Sequence, residues 1–326
     1  MKLWKILFFN FLIMGTLISI SSISWFSMWM GLEINLLSFI PLISKYKNLY
    51  SSESAIKYFM IQAIASIILL MSMIIFSMNF SLNNSSLMMN SALFLKMGAA
   101  PFHFWMPEII EGLSWFLTFT MLTWQKIAPM ILLMYNISSI SFFMIFIFSS
   151  MIISTLFNLN QSSLRKILVF SSINHIGWML SIIYINQTIW LIYFLIYFFL
   201  SMKLIFMFFS LNIFNFNQIS LFSNSKLFKL FFLVNFFSLG GLPPFLGFFS
   251  KWIILNELLM LNVTFTIFMI FITLIMLFSY IRIFLPSLIL KSQEISNKMN
   301  FSKKLTFLNY LNFMFLMLNP LIYFIF

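Results

Sequence analysis

Apolar runs long enough to cross a lipid bilayer follow one another along most of this sequence. A helix needs about 20 residues to cross a hydrocarbon core of roughly 30 Å, and backbone polar groups cannot stay unpaired in lipid. Only 7% of the 326 residues are charged and 62% are hydrophobic, which leaves too few polar residues to cover a soluble domain. The sequence therefore predicts an all-α polytopic membrane protein.

About eleven transmembrane helices are predicted when the apolar runs are divided at polar residues, glycines and prolines. These spans are Leu3–Ile23, Trp25–Ser44, Ala55–Met78, Leu87–Trp105, Leu113–Tyr135, Ile140–Leu159, Leu164–Ile183, Thr188–Phe214, Leu227–Leu261, Phe265–Leu285 and Leu305–Phe326. The first run leads into further membrane segments without a small-residue cleavage site, so we expect a retained helix and not a signal peptide.

The charged residues between the spans predict the topology. If the helices alternate in direction, one face carries Lys2, Lys5, Lys45, Lys47, Lys57, Glu108, Glu111, Arg165, Lys166, Lys226, Lys229 and the stretch from Arg282 to Lys304. Basic loops stay on the inner side of a membrane, which places the N-terminus inside and the C-terminus outside. The net charge of +12 then reflects topology, and nucleic-acid binding is not expected.

Helix-breaking residues occur at corresponding places in the fourth and ninth spans. They are Gly98 and Pro101 in the fourth span and Gly240, Gly241, Pro243 and Pro244 in the ninth. The pattern predicts two inverted five-helix repeats, 1–136 and 137–286, each with a discontinuous fourth helix, followed by a basic inner loop and a C-terminal helix in 287–326. Broken helices in matching halves indicate a transport site near the midplane. Two unrelated proline kinks are the alternative.

Several ionisable side chains fall within the predicted spans. A charge at the bilayer centre costs about 2.5–3.5 kcal/mol on insertion scales, so such residues usually face a bundle interior or a wet pathway. Glu33, Lys96, Lys126 and Lys251 together predict a conducting row, although each alone could be an ion pair or a side chain that reaches the interface. A lysine whose pKa falls from about 10.4 toward neutrality on desolvation becomes a proton carrier.

Four further ionisable residues have less specific settings. His175 suits a proton relay or a structural hydrogen bond, and His103 suits an anchoring role near the inner interface. Lys203 and Glu257 are candidate additional relay residues, and Glu257 also fits an interfacial position.

The sequence lacks the motifs of covalent, metal and redox chemistry. It has no cysteine, no glycine-rich phosphate loop, no metal-ligand cluster and no Ser/His/Asp arrangement. We therefore expect no metal and no cofactor bound by this chain.

Five motifs together resemble one membrane protein family. They are Leu93–Glu108, which contains Lys96-Met97-Gly98-Ala99-Ala100-Pro101, and Trp29–Asn35, Leu122–Lys126, Ser171–Trp178 and Gly240–Pro244. These motifs are similar to those of the antiporter-like subunits of respiratory complex I, the NADH:ubiquinone oxidoreductase. They resemble most narrowly the subunit 2 branch of animal mitochondria, over about residues 15–251.

The resemblance implies roles for individual residues. Glu33 and Lys96 would be the family's glutamate–lysine pair, Lys126 its central relay lysine and Lys251 the lysine of the second broken helix. His175 matches a family motif without a settled role, whereas Lys203 is outside the family pattern.

The resemblance also implies a setting in the inner mitochondrial membrane, with the N-terminus in the matrix and the C-terminus in the intermembrane space. The chain would translocate protons as a non-redox subunit, while NADH, FMN, iron–sulfur clusters and ubiquinone would belong to other subunits. Expected partners are the antiporter-like subunit 4, the small subunit 4L, accessory subunits and lipids such as cardiolipin. A stand-alone cation/proton antiporter and a structural subunit with a vestigial proton path are the alternatives. The absence of aspartate disfavours the antiporter.

Overall fold

The computed structural model describes residues 3–44, 48–78, 82–137, 139–216, 218 and 226–289. Lys2, Lys45, Lys47 and the predicted C-terminal helix Leu305–Phe326 lie outside these residues. Within them the structure gives bounds for thirteen α-helices. They are α1 Leu3–Ser21, α2 Trp25–Ile43, α3 Leu49–Ser77, α4 Leu82–Met97, α5 Trp105–Gly112, α6 Trp115–Leu122, α7 Trp124–Tyr135, α8 Ile140–Asn158, α9 Leu164–Ile183, α10 Gln187–Leu211, α11 Lys226–Gly240, α12 Leu246–Leu261 and α13 Val263–Ile289.

The predicted all-α polytopic class is confirmed over the described residues. Eight segments are long and apolar enough to cross a membrane: α1, α2, α3, α6 together with α7, α8, α9, α10 and the Val263–Arg282 part of α13. Two other spans are predicted within the described ranges. Leu87–Trp105 covers most of α4 and ends at the first residue of α5, and Leu227–Leu261 divides into α11 and α12. The count of eleven and the repeat arrangement stay predictions.

The described residues fall into two compact units, and the boundary lies within α8, between Ser150 and Met151. In unit 1, α3 packs against α2, α4 and α5, and α7 packs against α1, α4 and α6. In unit 2, α10 packs against α9, α11 and α12, and α13 packs against α11 and α12. These units are defined by contacts within the structure. The predicted sequence repeats, 1–136 and 137–286, are defined differently and stay a prediction.

Two glycines bring α1 and α2 into close contact. A Cβ atom on Gly15 would lie 2.8 Å from the backbone nitrogen of Asn35, and one on Gly31 would lie 2.6 Å from that of Ser19. Such distances leave no space for a methyl group, so the small residues set the crossing of these helices. Because Glu33 follows Gly31 by two residues, this crossing fixes the part of α2 that carries the partly buried acid.

The short helix α5 is held against the start of α3. Lys57 Nζ lies 2.9 Å from Glu108 Oε2 of α5 and 3.0 Å from Glu53 Oε1 in its own helix. A Cβ atom on Gly112, at the end of α5, would collide with the carbonyl oxygen of Tyr50. These contacts fix α5 directly after the break that ends α4.

Large apolar side chains cover the outer faces of the long helices. Leu17 of α1, Ile67 of α3, Phe199 of α10 and Phe271 of α13 are all exposed. Helix α9 of unit 2 differs, because it is buried over almost its whole length. Exposed apolar faces around a buried polar helix fit a protein whose solvent is lipid.

Candidate functional site

The end of α4 forms the helix break of unit 1. Gly98 has φ +71°, its N–H donates to Leu95 O at 3.2 Å, and the N–H of Ala99 donates to Phe94 O at 3.1 Å. This is a Schellman cap, in which a left-handed residue closes the helix, and glycine adopts that conformation most readily. Lys96 lies in the last turn of α4 and is buried.

Side chains from other segments also bind carbonyl groups at this helix end. Gln62 Nε2 of α3 donates to Lys96 O at 3.4 Å, and Trp105 Nε1 donates to Leu95 O at 3.2 Å. A helix ends with unpaired carbonyls, which are costly when buried. These bonds pair carbonyl groups that the buried end of α4 would otherwise leave without partners.

Pro101 and His103 lie in the loop between α4 and α5. His103 is buried, its Nδ1 atom is 3.2 Å from Pro101 O, and its ring centroid is 4.3 Å from that of Phe104. These contacts are those of an anchored side chain.

Glu33 lies on α2 and is partly buried. Its Oε1 atom is buried without a hydrogen-bond partner in the described structure. The carboxylate interacts electrostatically with Lys96 and with Tyr58 of α3, but it forms no ion pair with Lys96 within 4.0 Å. The structure therefore places the predicted glutamate–lysine pair within electrostatic reach without direct contact.

Lys126 follows an interruption that the sequence analysis did not predict. Thr123, with φ −117° and ψ −68°, separates α6 from α7, and its hydroxyl donates to Phe119 O at 2.7 Å. Pro129, inside α7, has no N–H for the carbonyl of Gln125, which weakens the first turn. The predicted continuous span Leu113–Tyr135 is therefore two helices, and Lys126 lies next to their junction with only 1% of its surface exposed.

Three polar side chains link the helices around these charges, and the sequence analysis gave them no role. Gln125 Nε2 donates to Asn35 Oδ1 at 3.0 Å, and the Tyr58 hydroxyl is 3.5 Å from Gln125 Oε1. The bonds join α7 to α2 and α3. The sequence did contain a signal for two of them, because Asn35 and Gln125 lie within apolar runs and close in sequence to Glu33 and Lys126. An amide without a hydrogen-bond partner is costly inside a membrane.

Unit 2 contains a break with the same kind of cap. Gly241 has φ +79°, and the N–H groups of Gly241 and Leu242 both donate to Phe237 O, at 3.0 and 3.2 Å. The two prolines that follow cannot extend α11. The chain restarts as α12 at Leu246.

The side chain of Lys251, on α12, contacts the end of α11. Its Nζ donates to Gly240 O at 2.8 Å and lies 5.9 Å from the centroid of the Trp178 ring. The side chain is buried, with 7% of its surface exposed. A terminal carbonyl and an aromatic face thus replace part of the hydration that the ammonium group loses.

His175 lies in the middle of α9 within a cluster of hydroxyl groups. Its Nδ1 atom is 2.7 Å from the Tyr193 hydroxyl, and its ring centroid is 4.8 Å from that of Tyr197. Tyr197 is hydrogen-bonded with Ser172, one turn before His175. The histidine therefore has neighbours that can both donate and accept protons.

The two less specific candidates lie farther along the same helices. Lys203 is on α10, six residues after Tyr197, and is buried. Glu257 is on α12, six residues after Lys251, and is partly exposed. Six residues correspond to about 9 Å along a helix axis. The contacts described above for His175 and Lys251 involve neither residue.

The fold and the site define a class: polytopic helical membrane proteins with lysines buried at broken helices. The family model described as NADH:quinone oxidoreductase/Mrp antiporter, TM, matches residues 22–279. The chain is 47% identical over 316 residues to NADH-ubiquinone oxidoreductase chain 2 of Anopheles gambiae, covering 94% of this chain and 92% of that one. It is 45% identical to the chain 2 protein of Locusta migratoria, covering 89% and 87%. The chain therefore belongs to the NADH:quinone oxidoreductase/Mrp antiporter family, in its branch of NADH-ubiquinone oxidoreductase chain 2 proteins.

Solved structures share the fold. A chain of respiratory complex I from Thermus thermophilus with bound aureothin matches with a TM-score of 0.85 at 21% identity, over 98% of this chain and 78% of that one. A chain of the Mrp complex from Dietzia sp. matches with a TM-score of 0.72 at 16% identity, over 85% and 59%. At these identities the likeness concerns the fold alone.

Proposed function

We propose that this chain is a proton-translocating membrane-arm subunit of NADH:ubiquinone oxidoreductase. The observation that carries the proposal is the placement of a buried lysine at a capped helix break in each unit, Lys96 in unit 1 and Lys251 in unit 2. The similarity to chain 2 proteins supports NADH:ubiquinone oxidoreductase as the complex in which these lysines would act.

In unit 1 the proposed carriers are Lys96 and Lys126, and Glu33 is the acid that couples to them. The Glu33 and Lys96 charges interact electrostatically, although the two side chains do not form an ion pair with each other. In a medium of low dielectric constant, a change in one charge alters the protonation equilibrium of the other over several ångströms. A charge arriving from a neighbouring subunit at Glu33 would therefore move a proton at Lys96.

In unit 2 the proposed carriers are His175 and Lys251. The His175 ring can take a proton at one nitrogen while the Tyr193 hydroxyl, 2.7 Å from Nδ1, adjusts its own hydrogen bond. Lys251 holds a proton against Gly240 O, and rotation of its flexible side chain would release the ammonium group from that carbonyl. Lys203 and Glu257 remain candidate additional relays.

We also propose that the two breaks are equivalent parts of an internal repeat, as the sequence predicts. Both have a glycine with positive φ directly after the helix end. In both, an N–H group bonds to the carbonyl five residues earlier, from Ala99 to Phe94 and from Leu242 to Phe237.

The remaining parts of the proposal follow from the family and the composition. The chain would lie in the inner mitochondrial membrane beside the antiporter-like subunit 4 and the small subunit 4L, with accessory subunits and lipids such as cardiolipin at its surface. Its N-terminus would face the matrix, because the basic loops alternate to one side. NADH, FMN, iron–sulfur clusters and ubiquinone would act in other subunits, since a chain without cysteine has no thiolate to ligate a cluster.

The test is the replacement Lys126→Met in the assembled complex, with Lys5→Met as the matched control. Both changes replace a lysine by methionine, but Lys126 is buried and Lys5 lies near the start of α1. Native gels stained for NADH oxidation measure assembly, and sealed vesicles measure protons moved per electron.

We expect Lys126→Met to assemble and to move fewer protons per electron, and Lys5→Met to match the unmodified complex. Normal proton yield with Lys126→Met would favour a structural subunit with a vestigial path. A chain found only in small species without NADH-oxidising activity would favour a separate cation/proton antiporter.

A further inference from the structure

Tyr58 of α3 is packed among aromatic side chains from two other helices of unit 1. Its ring centroid lies 5.1 Å from that of Phe39 on α2 and 6.3 Å from that of Trp105 at the start of α5, and only 2% of its surface is exposed. Trp105 in turn bonds the end of α4 through Leu95 O. The tyrosine ring is therefore held in the packing around the helix break, and its hydroxyl group is the part that can still reorient.

The hydroxyl end of this side chain extends along α2 toward the turn that carries Glu33. It lies 3.5 Å from Gln125 Oε1 of α7, and Gln125 Nε2 donates to Asn35 Oδ1 of α2 at 3.0 Å. Asn35 precedes Phe39 by four residues, which is about 6 Å along the axis of α2. Glu33 lies two residues, about 3 Å, before Asn35 on the same axis. From its ring at Phe39 to its hydroxyl group near Asn35, the Tyr58 side chain therefore approaches the level of Glu33.

Glu33 and Gln125 compete for the single proton of this hydroxyl group. Oε1 of Glu33 is buried and has no hydrogen-bond partner in the described structure, and the Glu33 carboxylate interacts electrostatically with Tyr58. The 3.5 Å separation from Gln125 Oε1 exceeds the usual O–H···O distance of about 2.5–3.0 Å, so this bond is weak. A charged acceptor forms a bond about twice as strong as a neutral one. Ionised Glu33 therefore draws the hydroxyl proton away from Gln125, and Glu33 that is neutral or paired with a cation leaves it there.

Gln125 belongs to a turn of α7 that is weakly fixed. It directly precedes Lys126, and both lie in the first turn of α7, after the interruption at Thr123. Pro129 supplies no N–H for the carbonyl group of Gln125, so fewer backbone bonds hold this turn than hold an ordinary helix interior. Gain or loss of the Tyr58 bond at the Gln125 side chain therefore changes the surroundings of Lys126.

We propose that Tyr58 is a positioning residue that couples the charge state of Glu33 to the position of Lys126 on α7. Its hydroxyl proton bonds Gln125 when Glu33 is neutral or paired, and it turns toward Glu33 when the carboxylate is ionised and unpaired. No covalent bond changes, because the hydroxyl group only rotates. The inference rests on the proposed function, since the position of Lys126 matters only if that lysine carries protons.

The test compares Tyr58→Phe with Tyr50→Phe in the assembled complex. Both changes remove one hydroxyl group from α3 and keep the ring, but Tyr58 is buried and Tyr50 is 76% exposed. Tyr58→Phe is also combined with Glu33→Gln, whose amide has nearly the shape of the carboxylate and no charge. Sealed vesicles measure the rate of proton movement during NADH oxidation. Native gels measure assembly, and heat inactivation of the complex measures its stability.

We expect Tyr58→Phe to assemble normally and to slow proton movement about two- to tenfold, which is the effect of losing one hydrogen bond of ordinary strength. Tyr50→Phe should match the unmodified complex. Glu33→Gln alone should also slow proton movement, and adding Tyr58→Phe to it should cause no further loss, because residues that act through one another are not additive. Additive losses accompanied by a lower temperature of heat inactivation are the result of a purely structural role. Additive losses of any kind, or equal rates for Tyr58→Phe and Tyr50→Phe, would overturn the proposal.

Two substitute variants keep this comparison decisive. If Glu33→Gln alone stops proton movement, Glu33→Asp takes its place, because it keeps the charge but withdraws the carboxylate from the hydroxyl group by one methylene. If Tyr58→Phe does not assemble, Gln125→Met takes its place, because it keeps the length of the side chain and replaces the amide acceptor by a weakly accepting thioether. The same lack of additivity is expected in both cases.

The Lys126→Met experiment separates the two proposals. If Lys126→Met lowers the proton yield but Tyr58→Phe behaves like Tyr50→Phe, the positioning role is wrong and the proposed function stands. If Lys126→Met leaves the yield unchanged, the proposed function fails and the role of Tyr58 fails with it.

Discussion

The break in unit 2 makes a quantitative prediction at Gly241. In Gly241→Ala, an alanine must adopt φ +79°, and the left-handed conformation costs an L-residue about 1–2 kcal/mol. The added methyl would also lie 3.0 Å from both Cδ and Nζ of Lys251. That contact is too short, and the flexible lysine must move.

A shift of a few tenths of an ångström lengthens the 2.8 Å bond from Lys251 Nζ to Gly240 O. Hydrogen bonds to charged groups contribute about 1.5–3 kcal/mol, and such a shift weakens the bond without breaking it. The backbone strain of about 1–2 kcal/mol is therefore the larger part of the expected destabilisation. We expect Gly241→Ala to lower the amount of assembled complex and, in the complex that does assemble, to reduce the protons moved per electron. Native gels and vesicle measurements report the two quantities.

The neighbouring glycine is the control. A Cβ atom on Gly240 would meet Tyr280 Cδ2 at 3.3 Å and Leu277 Cγ at 3.7 Å, and its φ is not in the left-handed region. Gly240→Ala should therefore assemble nearly normally. Equal assembly and equal proton yield for Gly240→Ala and Gly241→Ala would refute the reasoning.

Two further predictions concern the polar links in each unit. Gln125→Leu removes the hydrogen bond to Asn35. Interhelical hydrogen bonds in membranes average about 0.6 kcal/mol, so the temperature of heat inactivation of the complex should fall only slightly. The number of protons moved per electron should fall clearly. A large thermal shift with normal proton yield would assign Gln125 a structural role. Tyr193→Phe removes the hydroxyl 2.7 Å from His175 Nδ1, and should slow proton transfer and change its solvent deuterium isotope effect without altering the KM for NADH. Unchanged transfer and isotope effect would show that this hydroxyl is not on the path.

The sequence alone predicts the membrane class, because helix length and hydropathy are local properties. The breaks were also foreseeable, since Gly98 and Gly241 stand three and two residues before a proline inside apolar runs. The interruption at Thr123 was not foreseeable in the same way. Its causes, a threonine hydroxyl bonded back to the chain and a proline six residues later, are each compatible with a continuous helix.

For the candidate site, the sequence predicts only how deep each ionisable residue lies in the membrane. Periodicity and span position place Glu33 and Lys96 at similar depth, but the gap between them depends on how α3 packs between α2 and α4. The same holds for Tyr58 and Gln125, which pair from positions 67 residues apart. Long-range contacts of this kind depend on side-chain packing, which a single sequence does not specify.

The break in unit 2 also explains how Lys251 can remain buried without a carboxylate in direct contact among the described residues. A helix that ends inside a bundle presents carbonyl groups without intrahelical partners and the negative end of its dipole. Lys251 donates to the last carbonyl of α11. Such a partner stabilises an ammonium group less firmly than a carboxylate at contact distance would, because it carries only a partial charge. A buried lysine paired in this way keeps its proton in a neighbourhood that small charge movements can alter, which a direct ion pair would prevent.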